Sequence, residues 1–524
     1  MNKVTIHRLA TGVPGLDELL GGGIPEFSFN LVAGTPGSGK TTLAHQIMFS
    51  LARPERRALF FTVLGEPPLK MLRYQQQFPF FDVNKINQSI KFVNLSADLL
   101  EGDFDRVLAR IAEEVEAFSP SLVFVDSFRS VVQSAKAMDV GPAGLQNFVQ
   151  QLGAQMTSWL ATTFLIGEYL APEAESSAVF TVADGILWLS QLVHRDAMVR
   201  KIQVVKMRGQ AQSLGVHTFR INNDGVEIFP RAVLKTSGME KISISGNERL
   251  SLGVPELDQM MGGGLPAGYS LLLVGPSGSG KTVLATQFLT EGVRCGEPGV
   301  IAAFEKSPNQ LLSHQLSTLV DSGQIGVINT RTLDLSLDEI LHDLVSMITR
   351  MKAKRVVIDS LSGFEMALAS MFREDFRESL YRLVAALTDM GVSVLMTAEL
   401  EDQYTMLRFS SYGNAFLADA IVMQRYIELE GQFKRVVSVV KVRGSGHSKD
   451  IRFYDIDAEG MKIGAALSQI RASCRASRTG PRRLLLVTAE LRRMMEVRPC
   501  RRRWLYPRGR MMRLLGFPAD QEEI

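Results

Sequence analysis

The chain has 524 residues, several times the usual length of one domain, so more than one packed core is expected. Hydrophobic residues make up 46% and charged residues 22%, which excludes a disordered, low-aliphatic polymer. The net charge of +3 conceals two regions of opposite sign: residues 466–524 carry +9 and the rest of the chain carries −6.

Three cysteines, Cys295, Cys474 and Cys500, cannot build a disulfide framework and lack the paired spacing of a zinc site. A reducing, cytoplasmic setting is expected. The opening MNKVTIHRLATG has no apolar run of secretory type. No uncharged apolar stretch of about 18 residues occurs, so a membrane span is not expected.

In chain order, a Gly-rich lead-in, TGVPGLDELLGGGIP (Thr11 to Pro25), comes first. The runs SFNLVAG, ALFFTVL, LVFVD, TTFLIG and GILWLS follow as predicted strands, separated by longer helical patterns. That alternation predicts an α/β fold with a mainly parallel sheet and helices on both faces, because parallel strands need crossover connections. Residues Arg231 to Arg249 are polar, contain two glycines and read as a linker. A second lead-in, SLGVPELDQMMGGGLP (Ser251 to Pro266), superposes on the first at a shift of 241 residues. The same shift lays GTPGSGKTT (Gly34 to Thr42) on GPSGSGKTV (Gly275 to Val283). LVFVDS then answers VVIDS, and KMRG (Lys206 to Gly209) answers KVRG (Lys441 to Gly444). The expected organisation is two copies of one domain, residues 1–236 and 237–465, and an Arg-rich tail at 466–524 with poor order.

Both loops match G-x-x-x-x-G-K-[ST], each after a predicted strand and before a predicted helix. Glycines let the backbone N–H groups turn inward, where they and the helix N-terminus cradle phosphate oxygens. Thr35, Pro36, Gly37, Ser38, Gly39 and Thr42 form the first cradle; Pro276, Ser277, Gly278, Ser279, Gly280 and Val283 form the second. Lys40 and Lys281 are placed to reach the β- and γ-phosphates of ATP, and Thr41 and Thr282 to ligate Mg²⁺. Asp126 and Asp359 each end an apolar strand, the position of a Walker B carboxylate holding the magnesium shell.

Together these motifs resemble the KaiC family of RecA-like ATPases over residues 5–464. The resemblance implies two tandem RecA-like P-loop domains, a double-ringed homo-hexamer with ATP at subunit interfaces, and regulatory or signalling proteins as partners. In the best-known member the first ring hydrolyses ATP slowly and the second also phosphorylates its own Ser/Thr residues. Carried onto this chain, it puts Lys206 and Arg208, and likewise Lys441 and Arg443, against the γ-phosphate held by the neighbouring subunit. Residues two apart on a strand point the same way, so such a pair can converge on one ligand; a solvated edge strand has the same pattern.

The family usually carries two adjacent glutamates after the strand that follows the first helix, one of them polarising the attacking water or hydroxyl. Here AFEKSP keeps Glu305 and puts Lys306 in the second place. In the first half FTVLGEPP has Leu64 and Gly65 there, and Glu66 stands one or two places later. Glu305 is therefore the expected catalytic base and Glu66 a displaced candidate, which must come within about 3 Å of its proton. Glu168 and Glu399 end strands and either sense the γ-phosphate or are structural. The adjacent acceptor pair of the clock protein falls on Ala415 and Phe416, leaving Ser410 and Ser411 as the nearest phosphoacceptors.

Two other readings compete with an ATP-driven hexameric switch. A RecA-like nucleic-acid motor is favoured by the Arg-rich tail alone, since basic segments bind phosphate backbones, but the acidic body and absent aromatic pattern oppose it. A scaffold held together by ATP is favoured by the missing glutamate pair of the first half.

Overall fold

The computed structural model describes residues 6–63, 68–100, 104–131, 142–170, 178–194, 197–231, 248–304, 314–329, 336–368, 373, 376–400 and 417–468. Glu66, Glu305, Ser410, Ser411, most of the expected linker and nearly all of the tail lie outside the described residues. The chain divides into two compact units, residues 1–466 and 467–524.

In the first half β1 (Arg8–Leu9) and β2 (Ile24–Pro25) pair as a small antiparallel ribbon. Nine further strands form one sheet: β3 (Phe29–Gly34), β4 (Ala58–Thr62), β5 (Ile90–Asn94), β6 (Leu122–Asp126), β7 (Thr162–Glu168), β8 (Gly185–His194), β9 (Ala197–Met207), β10 (His217–Asn222) and β11 (Gly225–Phe229). Their order is β11-β10-β9-β8-β3-β7-β6-β4-β5. The second half repeats the ribbon as β12 (Arg249–Leu250) and β13 (Leu265–Pro266). Its sheet contains β14 (Ser270–Gly275), β15 (Gly299–Ala303), β16 (Ile325–Asn329), β17 (Arg355–Asp359), β18 (Ser393–Glu399), β19 (Ala420–Leu429), β20 (Gln432–Val442), β21 (Arg452–Asp457) and β22 (Gly460–Ala466). The order β16-β15-β17-β18-β14-β19-β20-β21-β22 is the first sheet's order read from its other edge.

Six strands of each sheet are parallel, as the alternation of apolar runs and helices predicts. The last three fold back antiparallel, an addition the sequence pattern did not signal. Every residue of β3 is buried because helices cover both faces. Alternation then sends Leu31, Ala33, Leu59, Phe61, Val123 and Val125 to one core. Val32, Phe60, Phe124 and Phe164 go to the other, where Phe124 and Phe164 stack at 4.6 Å. From β3 the chain leaves to β4 on one side and returns to β8 on the other, so its C-terminal end opens into a crevice where ligands bind in such sheets.

The two halves meet where the β10–β11 hairpin approaches the helix Leu337–Met351. Glu339 is the third residue of that helix, and its carboxylate accepts from the Ser336 backbone N–H at 2.6 Å in a capping box. The same buried carboxylate accepts two donors from the Arg220 guanidinium of β10, so one side chain both starts a helix and ties the halves. The Phe229 ring stands edge-on to His342 at 5.7 Å beside it. No helix among the described residues is long and apolar enough to cross a membrane.

His45 sits in the helix Lys40–Leu51, fully buried and stacked on Phe60 at 4.8 Å. Burial pushes its pKa from 6.5 down to about 3, against the opposing effect of the Thr41 backbone. The folded state therefore holds His45 neutral while the unfolded chain protonates it below about pH 6.5. Stability conferred by the neutral ring should be fully present above that pH and fall towards pH 3, by up to about 1.4 kcal/mol per pH unit. Chemical unfolding of His45→Thr, which copies Thr286 of the second half, should show a shallower loss between pH 6.5 and 4 than the parent chain; an equal slope removes His45 as the cause.

Candidate functional site

At the end of β3 the loop Thr35–Gly39 passes into the helix that begins at Lys40. Gly39 has φ 97°, and a Cβ there would lie 2.6 Å from Ile221 Cδ1. The equivalent Gly280 has φ 93° and faces Ile456 at 2.2 Å. Both positions therefore favour glycine for backbone conformation, and a side chain there would also push on an isoleucine methyl. The Lys40 ammonium donates to the Thr35 carbonyl at 2.8 Å, and Lys281 to the carbonyls of Gly275 and Pro276 at 2.8 and 2.9 Å. Each lysine thus spans its own loop. Burial lowers the Lys40 pKa, against the opposing fields of Glu168 and Asp126.

The strand-end carboxylates come where the sequence puts them. Thr41 Oγ1 donates to Asp126 Oδ2 at 2.7 Å, and Thr282 Oγ1 to Asp359 Oδ2 at 2.9 Å. The peptide after each of these aspartates is cis. One hydroxyl and one carboxylate form an all-oxygen donor set, which suits Mg²⁺, an ion that completes its shell with waters and substrate phosphates. Burial pushes Asp126 up to about 6, partly offset by the Thr41 hydroxyl and Lys40.

Around these groups the first cavity measures about 540 Å³ and reaches Gly37, Thr42, Thr62, Arg129 and Glu168. The second measures about 360 Å³ and reaches Ser277, Val283, Ser360 and Glu399. Glu168 and Glu399 therefore both face the cleft. Arg129, not singled out in the sequence, donates to the Glu168 carbonyl at 2.8 Å and lies over the Tyr169 ring.

The Lys and Arg pairs lie elsewhere. β9 runs antiparallel to β8, and Met207 pairs with Gly185, which in turn pairs with Asn30 near the start of β3. Arg208 is therefore about 16 Å along the sheet from Gly34, at the edge opposite its own phosphate loop. Arg208 Nη1 donates to Asp184 Oδ1 and Arg443 Nη1 to Asp419 Oδ1, both at 3.0 Å. The other oxygens of Asp184 and Asp419 accept the backbone N–H groups of Phe29 and Ser270 at 3.1 Å. These aspartates aim the arginines, and the repeated Ala-Asp pair before β8 and β19 was the signal that could have revealed them. Lys206 and Lys441 donate to the carbonyls of Thr181 and Ala418. Burial, and then the neighbouring arginine, lowers both lysine pKa values.

Two phosphate loops in register, each with its threonine on a strand-end aspartate, mark a tandem P-loop ATPase. The family model "ATPase: KaiC" matches residues 9–233 and 250–468. The chain belongs to the KaiC ATPase family. A circadian clock oscillator protein KaiC of Picosynechococcus sp. is 28% identical over 87% of this chain and 90% of that relative. The circadian clock protein KaiC3 of Synechocystis sp. is 28% identical over 88% of this chain and 92% of the relative. A circadian clock oscillator protein KaiC of Prochlorococcus marinus is 27% identical over 88% and 93% respectively.

The KaiC halves of this chain differ in how firmly the loop is held. In the second, Ser279 Oγ donates to Gln424 Oε1 at 3.0 Å, and Tyr454 Oη donates to the Ser279 carbonyl at 2.6 Å. Leu189 and Phe219 stand at the matching places in the first half, where the buried Ser38 Oγ has no partner. Thr397 also donates to Asp359 Oδ1, whereas Ile166 occupies that register opposite Asp126. Burial is why Asp126 holds its proton more tightly than an ordinary carboxylate. The Gln424→Leu and Tyr454→Phe pair, made on a Lys40→Ala background, should weaken nucleotide binding at the second loop about fivefold, from roughly 1 kcal/mol of lost loop order. Titration with a fluorescent ATP analogue measures this, and an unchanged affinity would show that the two bonds do not order the loop.

Proposed function

We propose that this KaiC-family ATPase is a hexameric, nucleotide-driven switch in which both halves bind Mg-ATP and the second half carries most of the turnover. The observation that supports it best is the recurrence, in both halves, of a loop lysine, a threonine on a strand-end aspartate, and an arginine aimed by an aspartate at the opposite sheet edge. Within one chain the arginine is too far from its own loop to touch phosphate. A ring in which each subunit presents that edge to the next brings Arg208 and Lys206, or Arg443 and Lys441, to the neighbour's γ-phosphate, where cations offset the charge that develops on transfer.

In each loop the backbone N–H groups and Lys40 or Lys281 hold the phosphates, while Thr41 with Asp126, or Thr282 with Asp359, holds the metal. Mg²⁺, when bound, neutralises the β- and γ-phosphate oxygens. Glu305 accepts the proton of the attacking water in the second half; Glu66 is the displaced equivalent in the first. Transfer to the chain's own Ser410 or Ser411 is the kinase variant of the same chemistry. Partners are regulatory proteins that read the ring's nucleotide state, and the compartment is the cytoplasm. Nucleic acid belongs, if anywhere, to the Arg-rich tail.

Steady-state ATP hydrolysis should fall at least about tenfold in Lys281→Ala and by less than half in Lys40→Ala, with the double variant also losing ATP-dependent assembly by light scattering. Equal losses would place the chemistry in both rings. Hexamers that form unchanged in the double variant contradict the switch. Label from γ-phosphate-labelled ATP should map to Ser410 or Ser411 in the kinase variant, and its absence there limits the protein to hydrolysis.

A further inference from the structure

A second concave site lies at the other end of the helix Lys40–Leu51, about 18 Å from the phosphate loop. It is a cavity of about 400 Å³ bordered by His7, Arg8, Glu26, Ser50, Arg53 and Arg56. Three arginines and a histidine thus face one carboxylate. Arg53 and Arg56 form an isolated antiparallel bridge, each backbone N–H donating to the other's carbonyl at 3.1 and 2.9 Å. Residues opposed in this way share a face, and like charges so placed repel.

The second half shows how the same place looks when its charges are neutralised. The 241-residue shift runs without a gap through this region and lays Ala58 on Gly299, the first residues of β4 and β15. His7, Ser50 and Arg56 therefore correspond to Glu248, Glu291 and Glu297, while Arg8 and Arg53 correspond to Arg249 and Arg294. There Arg294 is paired with Glu291 at 2.6 Å, and the buried Arg355 with Glu297 at 2.8 Å. Lys354 lies 3.4 Å from Glu297 and 4.0 Å from Glu248. Three carboxylates of the second half have become a histidine, a serine and an arginine in the first, and two of the cations they meet, Lys354 and Arg355, have become Ser121 and Leu122. Glu26, where the second half has Ala267, and the exposed Glu55, where it has Gly296, are gained, and Glu26 reaches Arg56 at 3.7 Å. No side-chain partner for Arg53 occurs among the described residues. A cation beyond a helix C-terminus offsets the carbonyl charge there, which accounts for Arg53, two residues past its helix. It does not account for a second arginine where the other half has a glutamate.

We infer that this pocket is a binding site for a compact phosphate-bearing anion, distinct from the two ATP sites. The phosphate supplies negative charge to a pocket bordered by three arginines and one carboxylate. Arg8 donates to the Gly21 carbonyl, Arg56 lies 3.7 Å from Glu26, and the exposed Arg53 is open to the ligand. The residues that border the pocket are mainly charged or polar, which suits a small hydrophilic phosphate over a peptide helix with apolar anchors.

The test uses the full-length chain with both phosphate loops saturated by Mg-ADP, titrated with inorganic pyrophosphate and followed by calorimetry. One added site per chain is expected, weakening at least about tenfold in Arg53→Glu/Arg56→Glu and with rising salt. Arg53→Ala, at an exposed position, should give a smaller loss and guards against misfolding of the double variant. Arg294→Glu, its counterpart in the second half, should leave the affinity unchanged. Equal binding by all variants, or no added site, overturns the proposal. Binding of a Glu-rich peptide without binding of pyrophosphate also overturns it and gives the pocket to a protein partner.

Discussion

Each half depends on one backbone constraint: the chain must turn from the central strand into a helix through a glycine in the left-handed conformation, which other residues adopt only with strain. Gly39 and Gly280 combine a left-handed conformation with direct contact to Ile221 and Ile456 of the antiparallel extension. The turn therefore fixes more than a phosphate cradle. It sets where the helix begins, puts Thr41 and Thr282 on the strand-end aspartates, and draws the C-terminal meander over the loop. Because the central strand is buried on both faces, the loop cannot slide along the sheet, and the cleft geometry is inherited from the core.

Much of this was legible in the sequence because it is local. The five apolar runs become five of the parallel strands, and the loop motif needs only a strand before it and a helix after it. Asp126 and Asp359 were legible because a carboxylate that ends an apolar run has few places to go. The antiparallel meander was not, since strands such as Ala197–Met207 and Gln432–Val442 carry charges along their length and lack a clean apolar signature. Asp184 and Asp419 escaped notice for another reason. Their role rests on pairing with arginines 24 residues away, a contact that only register reveals.

Comparison of the halves shows how one scaffold diverges without changing its fold. In the second, Thr397, Gln424 and Tyr454 satisfy the polar groups around the loop and its aspartate. In the first, Ile166, Leu189 and Phe219 stand at those places, and the buried Ser38 Oγ has no partner. Buried polar groups without partners cost stability, so their persistence marks a loop freer to adjust when ligand arrives. The contrast recurs at the far end of the same helix, where a closed ion-pair network in the second half faces an open basic pocket in the first.

The central claim is that each ATP site is completed by the opposite edge of a neighbouring subunit. Mixing two inactive proteins tests it: Lys281→Ala, which lacks its phosphate-loop cation, and Lys441→Ala/Arg443→Ala, which lacks the edge cations. In a mixed ring some interfaces join an intact loop to an intact edge, so ATP turnover should rise well above that of either protein alone. Turnover that stays at the average of the two inactive proteins, although mixed rings form, would contradict the account.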